Sequence, residues 1–255
     1  MNFSVSSLIE LSRCAERYRQ RYILKIQTAP NFNIILGRVV DQTVTADLDN
    51  KIKTGELLKA GEVTQMANDA VEDIILTEGI SLTEEQAQRG MNRVKGELRN
   101  TAARMAQIHH GVIAPRLEPS HVQRSFEIQV AGHTITGRLD IQEGGRSVRD
   151  TKVTSRAPAS DEADRSLQLT IYAMACAQLD GRIPEHLYLD YLIHAVQPRV
   201  VKLETTRAFH QFHAVEERVL EAVKAVEAGV FVPANQDAWF CSTVYCPFFM
   251  GCKYV

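Results

Sequence analysis

The hydrophobic period changes midway along the chain, and this change constrains the fold more than any other feature. Before His121 apolar side chains recur at helical spacing, as in the stripe formed by Met91, Val94 and Leu98. From His121 onward apolar and polar residues alternate over three segments, which is typical of strands. This order predicts an α/β fold with one mixed β-sheet, flanked by helices, and a helical N-terminal half.

The spacing predicts the individual elements. Strands are expected at His121–Val130, His133–Ile141, Arg146–Val153, His186–His194 and Arg199–Glu204. Helices are expected over 6–25, through Leu36–Val44, after Gly61, and over Thr83–His110, Asp164–Leu179 and Arg207–Gly229. Ser7 and Glu10 form a predicted capping box for the first helix, and Gly144-Gly145 a predicted turn before the third strand.

The chain has no linker-like, repetitive or low-complexity segment, so a single domain over residues 1–255 is expected. Within it we expect a mainly helical part (1–115), a central core (116–230) and a cysteine-rich tail (231–255). Charged residues interrupt the only apolar stretch near the N-terminus, so we expect a cytoplasmic protein with no membrane contact. A net charge of −2 argues against a DNA-coating protein but allows an enzyme with a local basic strip.

The segment from Gly137 to Val153 carries the most chemistry. Asp140 lies near the end of one predicted strand, and Asp150 and Lys152 lie two residues apart on the next, on one face. A hairpin would bring the three together, where carboxylates, with the Thr151 carbonyl, could hold Mg²⁺ or Mn²⁺ for phosphodiester hydrolysis. A solvated strand face with a salt bridge is the commoner meaning of an Asp-x-Lys triplet alone.

Three motifs in this order resemble the PD-(D/E)XK nuclease superfamily, and most closely its RecB-like exonucleases, including CRISPR-associated and phage enzymes. The motifs are Gly137–Asp140, Asp150–Lys152 and Gln168–Tyr172. The resemblance implies a restriction-endonuclease-like fold with Asp140 and Asp150 as metal ligands and Lys152 as the catalytic lysine. It also implies that Gln168 and Tyr172 contact DNA or the active site, although Tyr172 could equally be a core aromatic residue.

Two further acidic residues are candidate ligands. The family pattern Gly-x-x-x-His corresponds here to Gly37–Asp41, so Asp41 stands where the family has a metal-binding histidine. An aspartate can ligate the same ion, and more readily a hard one such as Mg²⁺. Glu127 matches an acidic position on the preceding strand. The departure at Asp41 also leaves open a catalytically impaired nuclease fold that binds DNA or protein.

Cysteines near the two chain ends form a candidate metal-binding set. These are Cys14, Cys241, Cys246 and Cys252. Four thiolates suit either zinc or a [4Fe–4S] cluster, and the spacing does not decide between them. The resemblance to iron–sulfur members of the RecB-like branch, with one cysteine before the nuclease core and three after it, favours the cluster. Cys176 is expected to be a buried apolar residue.

Arginines at every fourth position of the first helix form a candidate DNA-binding strip. Arg13, Arg17 and Arg21 would share one face, although pairing with Glu10 and Glu16 on a solvated face is an equal alternative. The sequence and its resemblance together predict a DNA exonuclease for recombination, repair, or phage or CRISPR DNA processing. A recombinase, helicase or CRISPR integrase is a possible partner.

Overall fold

The protein is built around one mixed β-sheet, in a computed structural model that describes residues 1–144 and 146–255. Its six strands are β1 (Asn2–Ser4), β2 (His121–Val130), β3 (His133–Glu143), β4 (Ser147–Thr154), β5 (His186–Ile193) and β6 (Arg199–Thr205). The order is β1-β3-β4-β5-β6, with β2 also paired to β3. The β1–β3 and β4–β5 pairs are parallel and the others antiparallel. The predicted mixed sheet is confirmed.

Strand β3 organises the sheet because its two edges are used differently. Strand β2 pairs along nearly the whole of one edge. The other edge is shared, with β1 pairing to residues 134–136 and β4 to residues 141–143. Residues 137–140 therefore lie between the ends of two neighbouring strands, where the sheet opens. Asp140 is the last residue of this opening.

Helices cover both faces of the sheet. They are α1 (Val5–Arg13), α2 (Ala15–Tyr18), α3 (Phe32–Thr54), α4 (Ala60–Glu78), α5 (Glu84–Arg89), α6 (Met91–Ile108), α7 (Leu167–Asp180) and α8 (Phe209–Glu227). One apolar core joins α1, α7 and α8 to the sheet, through residues such as Leu8, Ile171 and Val219. A second core lies among α3, α4 and α6 and includes Ile141 and Leu192 of the sheet.

Two predicted helices are interrupted for local reasons. The first, expected over 6–25, breaks at Cys14, which is extended at φ −158° and ψ 101°. A π-helical turn then follows over Arg19–Ile23. The helix expected over Thr83–His110 breaks at Gly90, where φ is +84°, a value that glycine adopts most easily. The capping residue of α1 is Ser4, with Ser7 completing the capping box, so the predicted roles of Ser7 and Glu10 are wrong.

Strand β1 was not expected, because three residues carry too little alternation to predict a strand. The predicted turn at Gly144-Gly145 includes Gly145, which lies outside the described residues.

None of the helices in the described ranges combines the length and apolarity needed to cross a membrane.

Candidate active site

Asp140 and Asp150 face each other where the β3–β4 hairpin opens. The last paired rung of the hairpin joins Ile141 to Arg149, and the next rung in the same register would join Asp140 to Asp150. Strand β4 then continues against β5, where Asp150 pairs with Leu189. The hairpin register therefore brings the two carboxylates together, as the sequence predicted, and divergence of the strands leaves space beside them.

A kink in the β2–β3 pair turns Asp140 into this space. Pairing passes from Val122–Ile141 to Arg124–Leu139, and Gln123 and Asp140 between them are not paired within these described strands. Gln123 has a left-handed backbone with φ +49°. Such a conformation is costly for a residue with a side chain, and it is tolerated here because both flanking rungs are fixed.

The side chains before and after Asp140 point to opposite faces of the sheet, which supports the kink. Leu139 and Ile141 are two residues apart in β3, yet Leu139 packs in the core of α1, α7 and α8 and Ile141 in the core of α3, α4 and α6. In a regular strand both would point to the same side. Hence the sheet bends at Asp140, the residue on which the site depends.

Lys152 is held between a carboxylate and an amide. Its Nζ lies 2.6 Å from Asp150 Oδ2 and donates a hydrogen bond to Gln168 Oε1 at 2.9 Å. Gln168 Nε2 in turn donates to the Tyr172 hydroxyl at 2.7 Å. Residues Gln168 and Tyr172 are one turn apart on α7, so both reach the same side of the sheet. The three predicted motifs thus form one connected network.

Asp41 approaches this network from α3. Burial and the charge of Asp150 raise the pKa of Asp140 most, and the charge of Asp41 adds a smaller rise. Gln123 Nε2 donates a hydrogen bond to Asp41 Oδ1 at 2.9 Å. The kink therefore places Asp140 and also fixes one oxygen of Asp41. The sequence did not predict this role of Gln123, because nothing in its local pattern indicates a positive φ.

The electrostatics of the carboxylates suit a cation. Burial, and then the neighbouring charge of Asp150, raise the pKa of Asp140 well above its ordinary value. The same two causes in the same order raise the pKa of Asp41. Lys152 responds in the opposite sense, since burial would lower its pKa but the charges of Asp150 and Asp140 raise it.

The surroundings of Asp150 test whether these carboxylates fit a bound cation. Asp150 is 1% exposed, and its carboxylate has no hydrogen-bond partner within residues 1–144 and 146–255 apart from the close ion pair with Lys152. Buried charges of this kind are normally paired or bound to metal. Among residues 1–144 and 146–255, however, no three or more His, Cys, Asp or Glu side chains converge into a complete metal site.

The other predicted ligands lie in different surroundings. Thr151 is next to Asp150, and its Oγ1 is buried without a hydrogen-bond partner in the described chain. Glu127 is exposed on β2 and pairs with Thr136, four residues from the kink. That separation is about 13 Å along a strand. The structure therefore does not bring Glu127 to the acidic cluster.

Gly137 is required by packing behind the site. A Cβ atom at this position would lie 2.5 Å from the ring of Phe126 and 2.8 Å from Val5. The Phe126 ring meets that of Tyr172 edge to face at 6.0 Å. The glycine of the first motif thus allows the aromatic pair that places Tyr172, and with it Gln168, beside Lys152.

The arginines of the first helical segment differ in their surroundings. Arg13 is exposed, and after burial its charge adds a smaller effect that opposes the rise in the pKa of Lys152 caused by Asp150 and Asp140. Arg17 Nε pairs with Glu10, and Arg21 Nη1 lies 3.5 Å from the same carboxylate. Part of the positive charge of the predicted strip is therefore balanced, and Arg13 is the arginine best placed to contact a phosphate.

The four cysteines of the candidate cluster line one pocket between residues 14–20 and the tail, although among the described residues they do not converge into a metal site. Cys14, Cys241, Cys246 and Cys252 all border the pocket, with Arg17 and Phe248 among the other lining residues. Burial, and then the nearby thiols of Cys14 and Cys252, raise the pKa of Cys241. The tail is joined to Cys14 by the Ala234 amide, which donates to Cys14 Sγ at 3.4 Å. Cys176 is buried in α7, as expected.

Comparison with known proteins identifies the family and agrees with this fold. The model of the PD-(D/E)XK nuclease superfamily matches residues 2–253, and the chain belongs to that superfamily. The crystal structure described as a "Putative exonuclease" from Eubacterium rectale is 13% identical, with 94% of this chain and 86% of that chain covered and a TM-score of 0.61.

The crystal structure of SSO0001 is 15% identical, covering 99% of this chain and 85% of that chain at a TM-score of 0.44. No curated protein matches the chain. The family and the fold make the protein a nuclease by class, as the motif order predicted.

Proposed function

We propose that the protein is a divalent-metal-dependent deoxyribonuclease that hydrolyses phosphodiester bonds at the ends of DNA. The observation that carries the proposal is the meeting of Asp140, Asp150 and Lys152 where the β3–β4 hairpin opens. Asp140 and Asp150 would hold Mg²⁺ or Mn²⁺, with Asp41 and Thr151 adjacent to them. When bound, such an ion polarises the phosphate and lowers the pKa of a coordinated water.

The chain's own residues supply the rest of the chemistry. Water forms a bond to phosphorus while the bond to the leaving sugar oxygen breaks, and the leaving oxygen gains a proton as the water loses one. The ammonium group of Lys152, held by Asp150 and Gln168, would stabilise negative charge on the phosphate oxygens. Tyr172, through its contact with Gln168, fixes the direction of that amide.

The test is hydrolysis of end-labelled linear DNA with Mg²⁺ or Mn²⁺, compared with EDTA. We expect metal-dependent loss of label in the wild type and a loss of at least about 100-fold in Lys152→Ala. Lys224→Ala, which removes an exposed lysine from α8, is the matched control and should retain full activity. Covalently closed circular DNA should be resistant if the enzyme needs an end. A protein inert with both ions on single- and double-stranded DNA would be a binding module instead.

We also propose that the cysteine pocket holds a [4Fe–4S] cluster, which the resemblance favours over zinc. Support comes from the four thiols that line one pocket and from the amide donated to Cys14 Sγ. Anaerobically purified protein should be brown and contain about four iron atoms per chain. Cys252→Ser should lose the iron, whereas Cys176→Ala should keep it, because Cys176 lies in α7. Colourless protein with one equivalent of zinc would contradict the cluster.

The pathway stays a prediction from the resemblance. Recombination, repair, and phage or CRISPR DNA processing all present DNA ends to an enzyme of this kind.

A further inference from the structure

The cysteine-rich tail presents two aromatic side chains to solvent. Trp239, the only tryptophan of the chain, is 67% exposed, and Tyr245 is 38% exposed. Their rings meet edge to face with centroids 4.9 Å apart. Cys241 and Cys246 follow these residues closely in sequence and border the cysteine pocket. We call Trp239 and Tyr245 the aromatic platform. Adjacent exposed aromatic residues of this size commonly mark a binding surface.

Helix α3 begins beside the platform and carries Asp41, a residue of the candidate active site. Asn31, the N-cap of α3, donates through Nδ2 to the Val244 carbonyl at 3.0 Å, beside Tyr245. Asp41 is ten residues further along the chain, about 15 Å at the helical rise. Between them lies Gly37, where an added Cβ would meet nothing within 4 Å. This bare turn lets another molecule approach the helix backbone closely.

The first helical segment also contacts the tail beside the platform. The Arg17 guanidinium lies 5.7 Å from the centre of the Phe240 ring, and Phe240 adjoins Trp239. Arg13, four residues earlier, is exposed and acts electrostatically on Lys152. Two independent contacts therefore join the tail beside the platform to segments that also carry residues of the site, Asn31–Val244 to α3 and Arg17–Phe240 to the first helical segment.

We propose that the aromatic platform stacks on bases of a single DNA strand and guides that strand along Gly37 and Arg13 to Asp140 and Lys152. This inference rests on the proposed function and adds that the DNA substrate is bound as a single strand. Aromatic rings bind bases without regard to sequence, and only an unpaired strand exposes its base faces for stacking. Arg13, the exposed arginine four residues before Arg17, supplies a positive charge that matches the phosphate backbone.

The experiment measures binding without hydrolysis, using the full chain purified anaerobically, without a chelator and without added Mg²⁺ or Mn²⁺. Anisotropy of a fluorescein-labelled oligothymidylate gives the affinity, and emission of the single tryptophan reports stacking directly. We expect the oligonucleotide to quench Trp239, and Trp239→Leu to weaken binding about 5- to 100-fold. Trp239→Phe, which keeps an aromatic face, should retain most of the affinity. Blunt duplex DNA of the same length should quench weakly.

Phe209→Ala is the matched control, because Phe209 is a 72% exposed aromatic residue at the first position of α8, outside the tail. It should bind like the wild type. Equal binding by wild type and Trp239→Leu, or binding without quenching of Trp239, would overturn the inference while leaving hydrolysis intact. Conversely, tryptophan-dependent binding by a protein that never cleaves DNA would refute the proposed function and uphold the platform.

Discussion

At the residue scale, the site depends on Gln123, a side chain outside the motifs. Its left-handed backbone marks the kink opposite Asp140, and its amide donates to Asp41. One residue therefore connects a carboxylate on the sheet with another on α3. This arrangement explains how an aspartate can stand near the cluster where the family has a histidine.

We predict that Gln123→Ala raises the Mg²⁺ concentration needed for half-maximal cleavage by about 10-fold, because Asp41 loses the donor that orients it. Titration of activity with Mg²⁺ measures the change. Gln129→Ala is the control, since Gln129 lies on the same strand but bonds to Thr134 and Gln178. An unchanged Mg²⁺ requirement would mean that Asp41 does not act through Gln123.

A second residue prediction concerns Gly137. Gly137→Ala should destabilise the fold by about 1–3 kcal/mol, because the added Cβ overlaps Phe126 and Val5. Gly96→Ala in α6 meets nothing within 4 Å and should instead be neutral or stabilise by about 0.5–1 kcal/mol. Urea unfolding of both variants measures the difference. Equal stabilities would show that the Phe126 ring can move aside without cost.

At the element scale, the end of α6 buries a histidine whose ring nitrogens form no hydrogen bond within the described part of the chain. His109 begins a π-helical turn, His109–Ile113, and is 1% exposed. Neither ring nitrogen has a hydrogen-bond partner among the described residues. Burial lowers the pKa of His109 from 6.5 to about 3, with smaller effects from the charges of His110 and Arg149. His109, at the end of this helix, is therefore neutral in the folded protein at pH 7.

This burial predicts acid sensitivity. The unfolded chain binds a proton at His109 below about pH 6.5 and the native protein does not, so stability falls as the pH falls from there to about 3. Each pH unit in this window costs about 1.4 kcal/mol. His109→Leu should reduce that slope, and should not destabilise the protein at pH 7 because the unpaired polar atoms are removed.

Urea unfolding at several pH values between 7 and 4 is the measurement. His213→Leu, which replaces a histidine that is 73% exposed, should keep the wild-type slope. A His109→Leu variant with an unchanged slope would show that another group controls acid unfolding.

At the scale of the whole molecule, the chain ends meet. The Ala15 amide donates to the Val232 carbonyl at 3.0 Å, and Cys14 shares its pocket with the three cysteines of the tail. Few apolar side chains of the tail are buried; Phe248 is one. A cluster bound by all four thiols would therefore contribute much of the stability of this region.

We predict that removing iron with a chelator, or substituting Cys252→Ser, releases the tail while the two apolar cores stay folded. Limited proteolysis should cut within residues 231–255, with far-ultraviolet circular dichroism little changed, because the α-helices and strands described above lie before this segment, which holds only a 3₁₀ turn at Phe249–Gly251. Cys176→Ala should keep the tail resistant. A chelated protein whose tail resists proteolysis as before would mean that contacts such as Ala15–Val232 suffice.

Much of the fold followed from the sequence because its determinants are local. Period and spacing predicted five of the six strands and the mixed sheet, and motif order predicted the family. Local signals failed at Cys14, where a helical pattern continues through an extended residue, and at β1, whose three residues pair with β3 only in the folded chain.

The features of the candidate site also fall into those that local sequence predicts and those that it does not. The sequence by itself determined that Asp140, Asp150 and Lys152 can meet, since strand spacing and a hairpin are enough. Only the tertiary structure decided that Gln123 reaches Asp41, that Glu127 lies away from the cluster, and that the aromatic platform is near α3. These relations depend on a positive φ, a register and a contact between distant segments, and none of them is encoded in the spacing of neighbouring residues.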